Sequence, residues 1–568
     1  MVTVGRFPFA VGVVGHRDLV AEDEPEIRAA VAGFLDDLAE RVPSASIEVV
    51  TGLAAGGDLL VAEVARELGM PVIGVLPMPW EMYRRDFGEG DAARVERLIS
   101  ADDVDVTVLH SRDVDLDAAR ADGSERDRLY DGLRVHLTTR SHLLLALWDG
   151  TATGLPGGTA DVVLSYLGAP ELDIATGPVT FTDEVGLTGD VVAWVSVRRS
   201  TEGRGREAAI RFLTPGFRPS TPAMSTELPP SLQARLDALQ EHLDDDAHLS
   251  EHTEATLLAG IDDEALIRSL GPLAAEFERS DRLAIAHQAR SDTVFKTMAF
   301  VIGAMGLVFL LYAKVDALDI YLIAYLALAG AGYALFLVAR RRDWFTRHLA
   351  DRVVAESLRV RFHLSLVGID ADVRAERLMG LLGIDQLRGF GWVRDAWRVG
   401  PMPTRSEAND ETVARLRHAW VDDQGAYFRS RLASLLHRQE RLEVVRRALF
   451  GVSLLAAVAL LLFSHDLSEV ELTGDVDAKT AVLVLMGLLP LWLGIWELYQ
   501  NKMAIRELIW QYRNQADHFT TASRALAEPL SDAERHDVLV DLGERALFDV
   551  YLWTLHRFHR EVEPGLPG

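Results

Sequence analysis

The sequence predicts an α/β unit followed by an all-α membrane module: a doubly wound parallel-sheet N-terminal domain, then four transmembrane helices with cytosolic helical extensions. Three observations carry this. Short apolar runs alternate with helical periods over residues 9–167, four uncharged apolar runs occupy 297–313, 320–339, 448–464 and 480–496, and bases cluster at one end of each run.

The stretches 11–14, 47–50, 72–76, 104–109 and 143–148 read as buried strands bounded by polar or glycine turns. Between the first two, Ile27, Val31, Phe34, Leu35 and Leu38 fall on one helical face, with Pro25 suited to a first turn. Residues 61–68, 91–100 and 125–142 supply further helices. Strands alternating with helices imply right-handed crossovers and a parallel sheet, with the strand order left open. Residues 179–181 and 191–197 carry a weaker strand signal that suits an antiparallel extension. Residues 215–230, rich in Pro, Ser and Thr, read as a linker, and helical periodicity resumes at Leu232 and continues to the end.

Each apolar run is 17 to 20 residues long. At about 1.5 Å per residue such a helix crosses the ~30 Å hydrocarbon slab of a bilayer. A buried helix of a water-soluble core is the competing reading, and four runs in two close pairs weigh against it. Arg282, Arg290 and Lys296 precede the first run and Arg340, Arg341 and Arg342 follow the second. Arg438, Arg441, Arg446 and Arg447 precede the third, and Lys502 and Arg506 follow the fourth. The loops within each pair are poor in base: Lys314 stands with Asp316 and Asp319, and Lys479 with Asp466, Glu469, Glu471, Asp475 and Asp477. The positive-inside rule then expects an inner-membrane, multi-pass protein with both termini cytoplasmic, and Trp492, Trp496 and Tyr499 suit an interfacial belt. No cleavable signal is expected ahead of the first strand, so insertion would use the internal helices.

The expected organisation is a ligand-binding domain over 1–200, a linker and helical connector over 201–280, and a first hairpin with its preceding helix over 281–342. A cytosolic helical segment over 343–447, a second hairpin over 448–500 and C-terminal helices over 501–568 complete it. At an offset of 149 residues Arg282-Leu-Ala aligns with Arg431-Leu-Ala, Ala299 with Ala448 and Leu311 with Leu460. A parallel duplication and a chance alignment of apolar helices both remain open. Small residues at Ala299/Gly303, Ala327/Ala331 and Gly330/Ala334 would allow close helix contacts.

The net charge of -27 argues against a nucleic-acid partner, because phosphate tracking needs a basic surface. With no cysteine, thiol nucleophiles, disulfides and thiolate metal sites are excluded. His242, Asp244, Asp245, Asp246, His248 and His252 are read as a solvated acidic helix face in preference to a metal site. No metal, cofactor or catalytic residue is expected.

The chemistry is expected at the C-terminal ends of the strands, where open α/β sheets bind ligands. Gly12-Val-Val-Gly15-His16-Arg17 follows the first strand. Thr51-Gly52-Leu-Ala-Ala-Gly56-Gly57-Asp58 follows the second, and Gly154-Leu-Pro-Gly157-Gly158-Thr159-Ala-Asp161 the fifth. Glycines admit a ligand phosphate close to the backbone, and the helix start offers N–H donors and the positive dipole end. Arg17 and Arg85 are candidates to neutralise phosphate, His16 to donate, and Asp58 or Asp161 to accept from ribose hydroxyls or simply to cap a helix.

Val13-Val-Gly-His-Arg17, the 51–58 turn, and Leu147-Trp-Asp-Gly150 running into Leu155-Pro-Gly-Gly-Thr159 resemble the SLOG superfamily over residues 5–170. That superfamily includes DNA-processing proteins, phosphoribohydrolases and nucleotide-sensing domains of bacterial conflict systems. Pro79-Trp-Glu-Met-Tyr83-Arg-Arg-Asp86-Phe87 is similar to a segment of sensor members. The membrane part is similar in architecture to SLATT effectors, two-helix membrane modules coupled to SLOG sensors. The resemblance implies a nucleotide-derived, ADP-ribose-like ligand. Hydrolytic members carry Pro-Gly-Gly-x-Gly-Thr-x-x-Glu. Here Gly158 is followed by Thr159-Ala-Asp-Val-Val-Leu164, so the general acid/base is missing from its place and Asp161 is out of register to replace it.

Three functions stay open. The first is a ligand-gated, homo-oligomeric membrane effector that opens a pore or disturbs the bilayer, with cation preference from its acidic second loop. Its apolar runs hold no ionisable group for a coupled pump. The second is a membrane-anchored phosphoribohydrolase, and the third a non-catalytic membrane scaffold.

Overall fold

The computed structural model describes residues 6–109, 114–121, 123–168, 176–182, 189–199, 209–218, 221–249, 256–315, 318–370, 372–400, 410–473, 476–502 and 505–559. Asp316, Asp475 and His252 lie outside them. The chain divides into two compact units. One comprises Met1–Arg279 with Ser357–Val413, the other Ser280–Glu356 with Ala414–Gly568.

In the first unit β1 (Phe7–Gly15), α1 (Glu24–Arg41), β2 (Ala45–Thr51), α2 (Gly57–Glu67) and β3 (Val72–Leu76) alternate. A short α3 (Trp80–Tyr83), α4 (Glu89–Ile99), β4 (Val104–Val108), α5 (Ser124–Arg140) and β5 (Leu143–Trp148) follow. The five strands and the amphipathic α1 stand where apolar periodicity puts them. Ile27, Val31, Phe34, Leu35 and Leu38 are all buried, and Pro25 sits in the first turn. Every residue of β5 is buried, as expected of a central parallel strand covered on both faces.

After β5 come a two-residue β6 (Thr151–Ala152), α6 (Thr159–Tyr166), β7 (Gly177–Pro178) and β8 (Val192–Ser196). The sheet order is β5-β1-β2-β3-β4 on one side, with β8 beyond β5. β1 pairs in parallel with both β2 and β5, and β8 pairs in parallel with β5. The extension turns antiparallel only afterwards, through β9 (Ile210–Arg218) and β10 (Thr221–Ser225). Much of the stretch read as a linker over 215–230 is therefore the outer edge of the sheet. Pro222 lies in the edge strand β10, beside a register irregularity, and Pro215 lies in β9 beyond the residues that pair with β8, so each can spare an N–H donor.

α7 (Pro230–Ala247) follows. His242 on it is buried, stacked on Trp392 at a centroid distance of 3.9 Å and 3.0 Å from the buried Glu276 carboxylate. That residue belongs to the packed interior and not to a solvated face. α8 (Glu264–Lys314), α9 (Asp319–Arg342) and α10 (Trp344–Leu366) come next, and the first unit is completed by residues from beyond these, α11 (Asp372–Leu381) and α12 (Val393–Trp397). His142, at the start of β5, accepts from the Ala10 amide at 2.7 Å through Nδ1, so its Nε2–H donates to the Asp395 carbonyl at 2.9 Å. Arg235 donates to the His142 carbonyl at 2.7 Å and lies 3.2 Å from the Asp395 carboxylate.

α13 (Asp410–Leu416) carries the chain from the first unit into the second and runs through a π-helical stretch, Arg417–Asp422, into α14 (Asp423–Glu469). The wide turn brings Trp420 edge-on to Phe519 at 5.6 Å, fully buried. A small hairpin of β11 (Glu471–Thr473) and β12 (Val476–Asp477) precedes α15 (Ala478–Lys502), α16 (Ile505–Ala525) and α17 (Asp532–His559). That hairpin falls in a region read as wholly helical.

Among the described residues four helices are long and apolar enough to cross a membrane, and at most 11 % of each apolar stretch is buried within the chain. A core helix of a water-soluble particle would be buried, so this exposure goes with a multi-pass membrane protein. α8 and α15 approach closely at glycines. A Cβ added at Gly303 would stand 2.9 Å from the Trp492 ring, one at Gly306 2.0 Å from Leu491, and one at Gly487 3.0 Å from Leu310. Gly303 was legible as a small-residue contact, whereas Gly330 faces open space.

Candidate ligand crevice at the sheet switch point

Chain order reverses direction across the sheet between β1 and β5, which makes their C-terminal ends a topological switch point. All three glycine loops leave strands at or beside that point, since β5, β1 and β2 are neighbours.

The second loop is fastened to the first by its own backbone. The Gly57 amide donates to the His16 carbonyl at 2.9 Å, and a Cβ on Gly15 would stand 2.8 Å from the Gly57 Cα. Gly56 has φ +78°, and its Cβ would come within 2.3 Å of the His16 carbonyl oxygen. Gly15, Gly56 and Gly57 are thus glycines because two chain segments pass in contact, a requirement that exists before any ligand arrives.

Asp58 follows the same logic. It is buried and accepts the Thr51 hydroxyl at 3.1 Å, while Thr51 Oγ1 accepts the Leu53 amide at 3.2 Å. Burial pushes its pKa up to about 7, against the hydroxyl, the amides of Ala54 and Gly15 and the charge of Arg17, which favour the ionised form. The Tyr83 hydroxyl donates to the Gly52 carbonyl at 3.1 Å and closes the floor of the loop.

The first and fifth strands are joined by His16 and Asp149, whose Nε2 and Oδ1 lie 3.0 Å apart with both side chains nearly buried. Burial pushes the Asp149 carboxyl up, but His16 and the Thr151 amide outweigh it and hold the pKa below its ordinary value. Asp149 stands in the Leu147-Trp-Asp-Gly150 motif but was not singled out.

Tyr130 of α5 is the residue that sequence reasoning missed. Arg17 donates to its hydroxyl at 3.4 Å and lies 5.8 Å from its ring centre. The hydroxyl bonds to Asp86, which Arg126 also meets at 2.6 Å. A Cβ on Gly157, where φ is +69°, would stand 3.0 Å from the Tyr130 Cβ. Loops after β1 and β3 therefore meet at the Tyr130 hydroxyl, and the loop after β5 packs on the same residue at its Cβ and backbone. No periodic signal marks Tyr130, because it sits in a helix whose face is mostly charged. Arg85 does not join this group: it is exposed and donates to the Arg120 carbonyl at 3.2 Å.

In the fifth-strand loop the Asp161 carboxylate accepts the Gly157 amide at 2.7 Å and the Ser165 hydroxyl at 3.4 Å, with Arg134 3.6 Å away. It is a capping residue, already engaged. Gly158 and Thr159 are half-exposed at the start of α6, where the first amides of a helix have no intrahelical acceptor. The start of α2, by contrast, is closed off by the His16 carbonyl and buried. Among the candidates around Tyr130, the exposed Arg17 and the half-exposed opening turn of α6 at Gly158 and Thr159 reach solvent, as Arg85 does away from this group. A separate cleft of about 500 Å³ lies away from the switch point, between Arg6, Pro8 and Glu48 of the sheet and Arg268, Pro272 and Glu276 of α8.

Compared with family models and with curated proteins, the chain matches none.

Proposed function

We propose that this chain is a membrane-embedded, homo-oligomeric effector of a bacterial inner membrane. Its α/β unit would bind a nucleotide-derived, ADP-ribose-like ligand at the β1/β5 switch point and gate a pore or membrane disturbance through its apolar helices. The observation that carries the reading is the convergence of Arg17, Tyr130 and the α6 start on one crevice, in a chain with four exposed apolar helices. A guanidinium at one end of Tyr130 and helix-start amides near its other end offer two anion-binding groups, which suits a diphosphate. The resemblance to SLOG sensors and SLATT effectors points the same way, and the basic flanks favour cytoplasmic termini.

Binding is favoured over phosphoribohydrolysis by one specific feature. Asp161, the carboxylate nearest to the missing glutamate's place, is committed to Gly157, Ser165 and Arg134 and has no spare role as acid or base.

Calorimetry of the full-length protein in detergent with ADP-ribose tests this. Saturable binding weakened at least about tenfold by Arg17→Ala is expected, consistent with loss of a charge-assisted contact. No heat with ADP-ribose or related nucleotides would leave the scaffold reading, and base release from nucleoside monophosphates would establish the hydrolase.

A further inference from the structure

We infer that the basic end of the helix bundle is a docking surface for anionic phospholipid headgroups; this rests on the membrane-spanning reading above. The four apolar stretches share one basic end. Gly303 meets Trp492 and Gly487 meets Leu310, so α8 and α15 run antiparallel with residue 297 level with residue 497. Gly332 meets Val301, and Arg446 reaches Glu497 at 3.8 Å, which brings the end of α9 and the middle of α14 to the same level.

At that level stand Arg340, Arg341 and Arg342, closing α9, and Arg438 and Arg441 on α14. All five are exposed, and none has an ion-pair partner among the described residues. Of the neighbouring acids, Asp343 and Glu443 are otherwise engaged, and the exposed Glu440, between Arg438 and Arg441, leaves the five guanidiniums in clear excess. Asp343 accepts the Thr346 hydroxyl at 2.7 Å, and Glu443 pairs with Arg446 at 2.8 Å and Arg447 at 3.5 Å.

A second observation identifies the occupant. Between Arg441 and the apolar run, Val444 and Val445 are 64 % and 52 % exposed, and Phe450 is 66 % exposed. Uncompensated guanidiniums interleaved with bare aliphatic groups suit neither water nor an acidic protein surface. A bilayer interface satisfies both, because the aliphatic groups enter hydrocarbon while the guanidiniums reach phosphates. The chain as a whole carries -27, so a cluster of five exposed guanidiniums stands out against its overall sign as a place for an anionic surface.

The test is reconstitution of the full chain into vesicles of phosphatidylcholine and of an equal mixture with phosphatidylglycerol, followed by extraction with its nearest lipids and their quantitation. Several-fold enrichment of phosphatidylglycerol over the bulk is expected. It falls to the bulk ratio in a variant carrying Arg340→Gln, Arg341→Gln, Arg342→Gln, Arg438→Gln and Arg441→Gln, and persists when the same five become lysine. Bulk composition around the wild type, or enrichment undiminished in the glutamine variant, overturns the proposal. Carbonate washing of the pure phosphatidylcholine vesicles separates the two ideas. Release of the protein there overturns the spanning reading and this proposal with it, whereas retention with bulk lipid ratios overturns only the headgroup surface.

Discussion

Arg398 and Asp190 are 208 positions apart in sequence, yet their Nη1 and Oδ1 atoms lie 2.8 Å apart where the chain enters β5 and β8. Arg398 is almost wholly buried and also donates to the Ser141 carbonyl and to Glu376, each at 2.8 Å. Burial raises the Asp190 carboxyl, but Arg398 and Arg394 outweigh it and hold the pKa below its ordinary value. Removing one partner of such a buried pair leaves a charge uncompensated, so Arg398→Ala is expected to cost about 3–5 kcal/mol. Urea unfolding of the full-length protein followed by fluorescence measures it. A fragment ending at residue 279 lacks Glu376, Asp395 and Arg398 together, and rapid proteolysis within β5 and β8 is expected of it.

His142 is buried with a pKa lowered to about 3, first by desolvation. A folded value below the unfolded one near 6.5 means its contribution is complete above that pH and is lost as pH falls toward 3. The loss amounts to about 1.4 kcal/mol per pH unit in that window. His142→Gln can keep both hydrogen bonds, and the difference in unfolding free energy between variant and wild type should shrink steadily from pH 6.5 to 4. A difference that stays constant with pH would contradict a neutral buried imidazole.

Asp58 titrates in the opposite sense. Its folded pKa of about 7 lies above the ordinary carboxyl value, so the stabilisation it gives is complete below about pH 4 and is lost as pH rises through 7. Asp58→Asn removes that titration, and at pH 8 the variant should recover about 1–3 kcal/mol relative to its deficit at pH 4. Chemical unfolding at the two pH values reads the change directly.

The absence of cysteine makes the helix contacts easy to probe. A Cβ at Gly306 would fall on the Leu491 side chain, so Gly306→Cys with Leu491→Cys should form a cross-link under mild oxidation. Gly330→Cys with Leu491→Cys should not, since Gly330 has nothing within 4 Å. Mobility shifts on non-reducing gels distinguish the two.

The sheet was legible as far as its strands are apolar. Ile47, Val72 and Leu143 announce buried strands, but Pro215 and Pro222 in β9 and β10 carry the composition of a linker, and they fit strands only because Pro222 is on the edge and Pro215 is past the pairing with β8. The return of residues 372–399 was not legible at all. Its contacts are made by Arg394, Arg398, Asp395 and Glu376, residue types that on a helix read as a solvated face until the partner is known. The π-helical step before α14 is equally silent, because its cause is the burial of Trp420 against Phe519 from another helix. At the crevice, the glycines were legible as places of close approach. Which body approaches was not: Gly56 and Gly57 admit the His16 backbone, and Tyr130 lacks any local pattern that distinguishes it.

The discontinuity of the first unit orders events at the ribosome. Asp190 and Ser141 are synthesised early, but the guanidinium that neutralises the one and bonds the other arrives with residue 398, after α8 and α9 have been made. All eight strands of the sheet are therefore made before α8, but the buried charges at Asp190 stay uncompensated until the first apolar pair has been synthesised, and the final closure of the unit follows it in time.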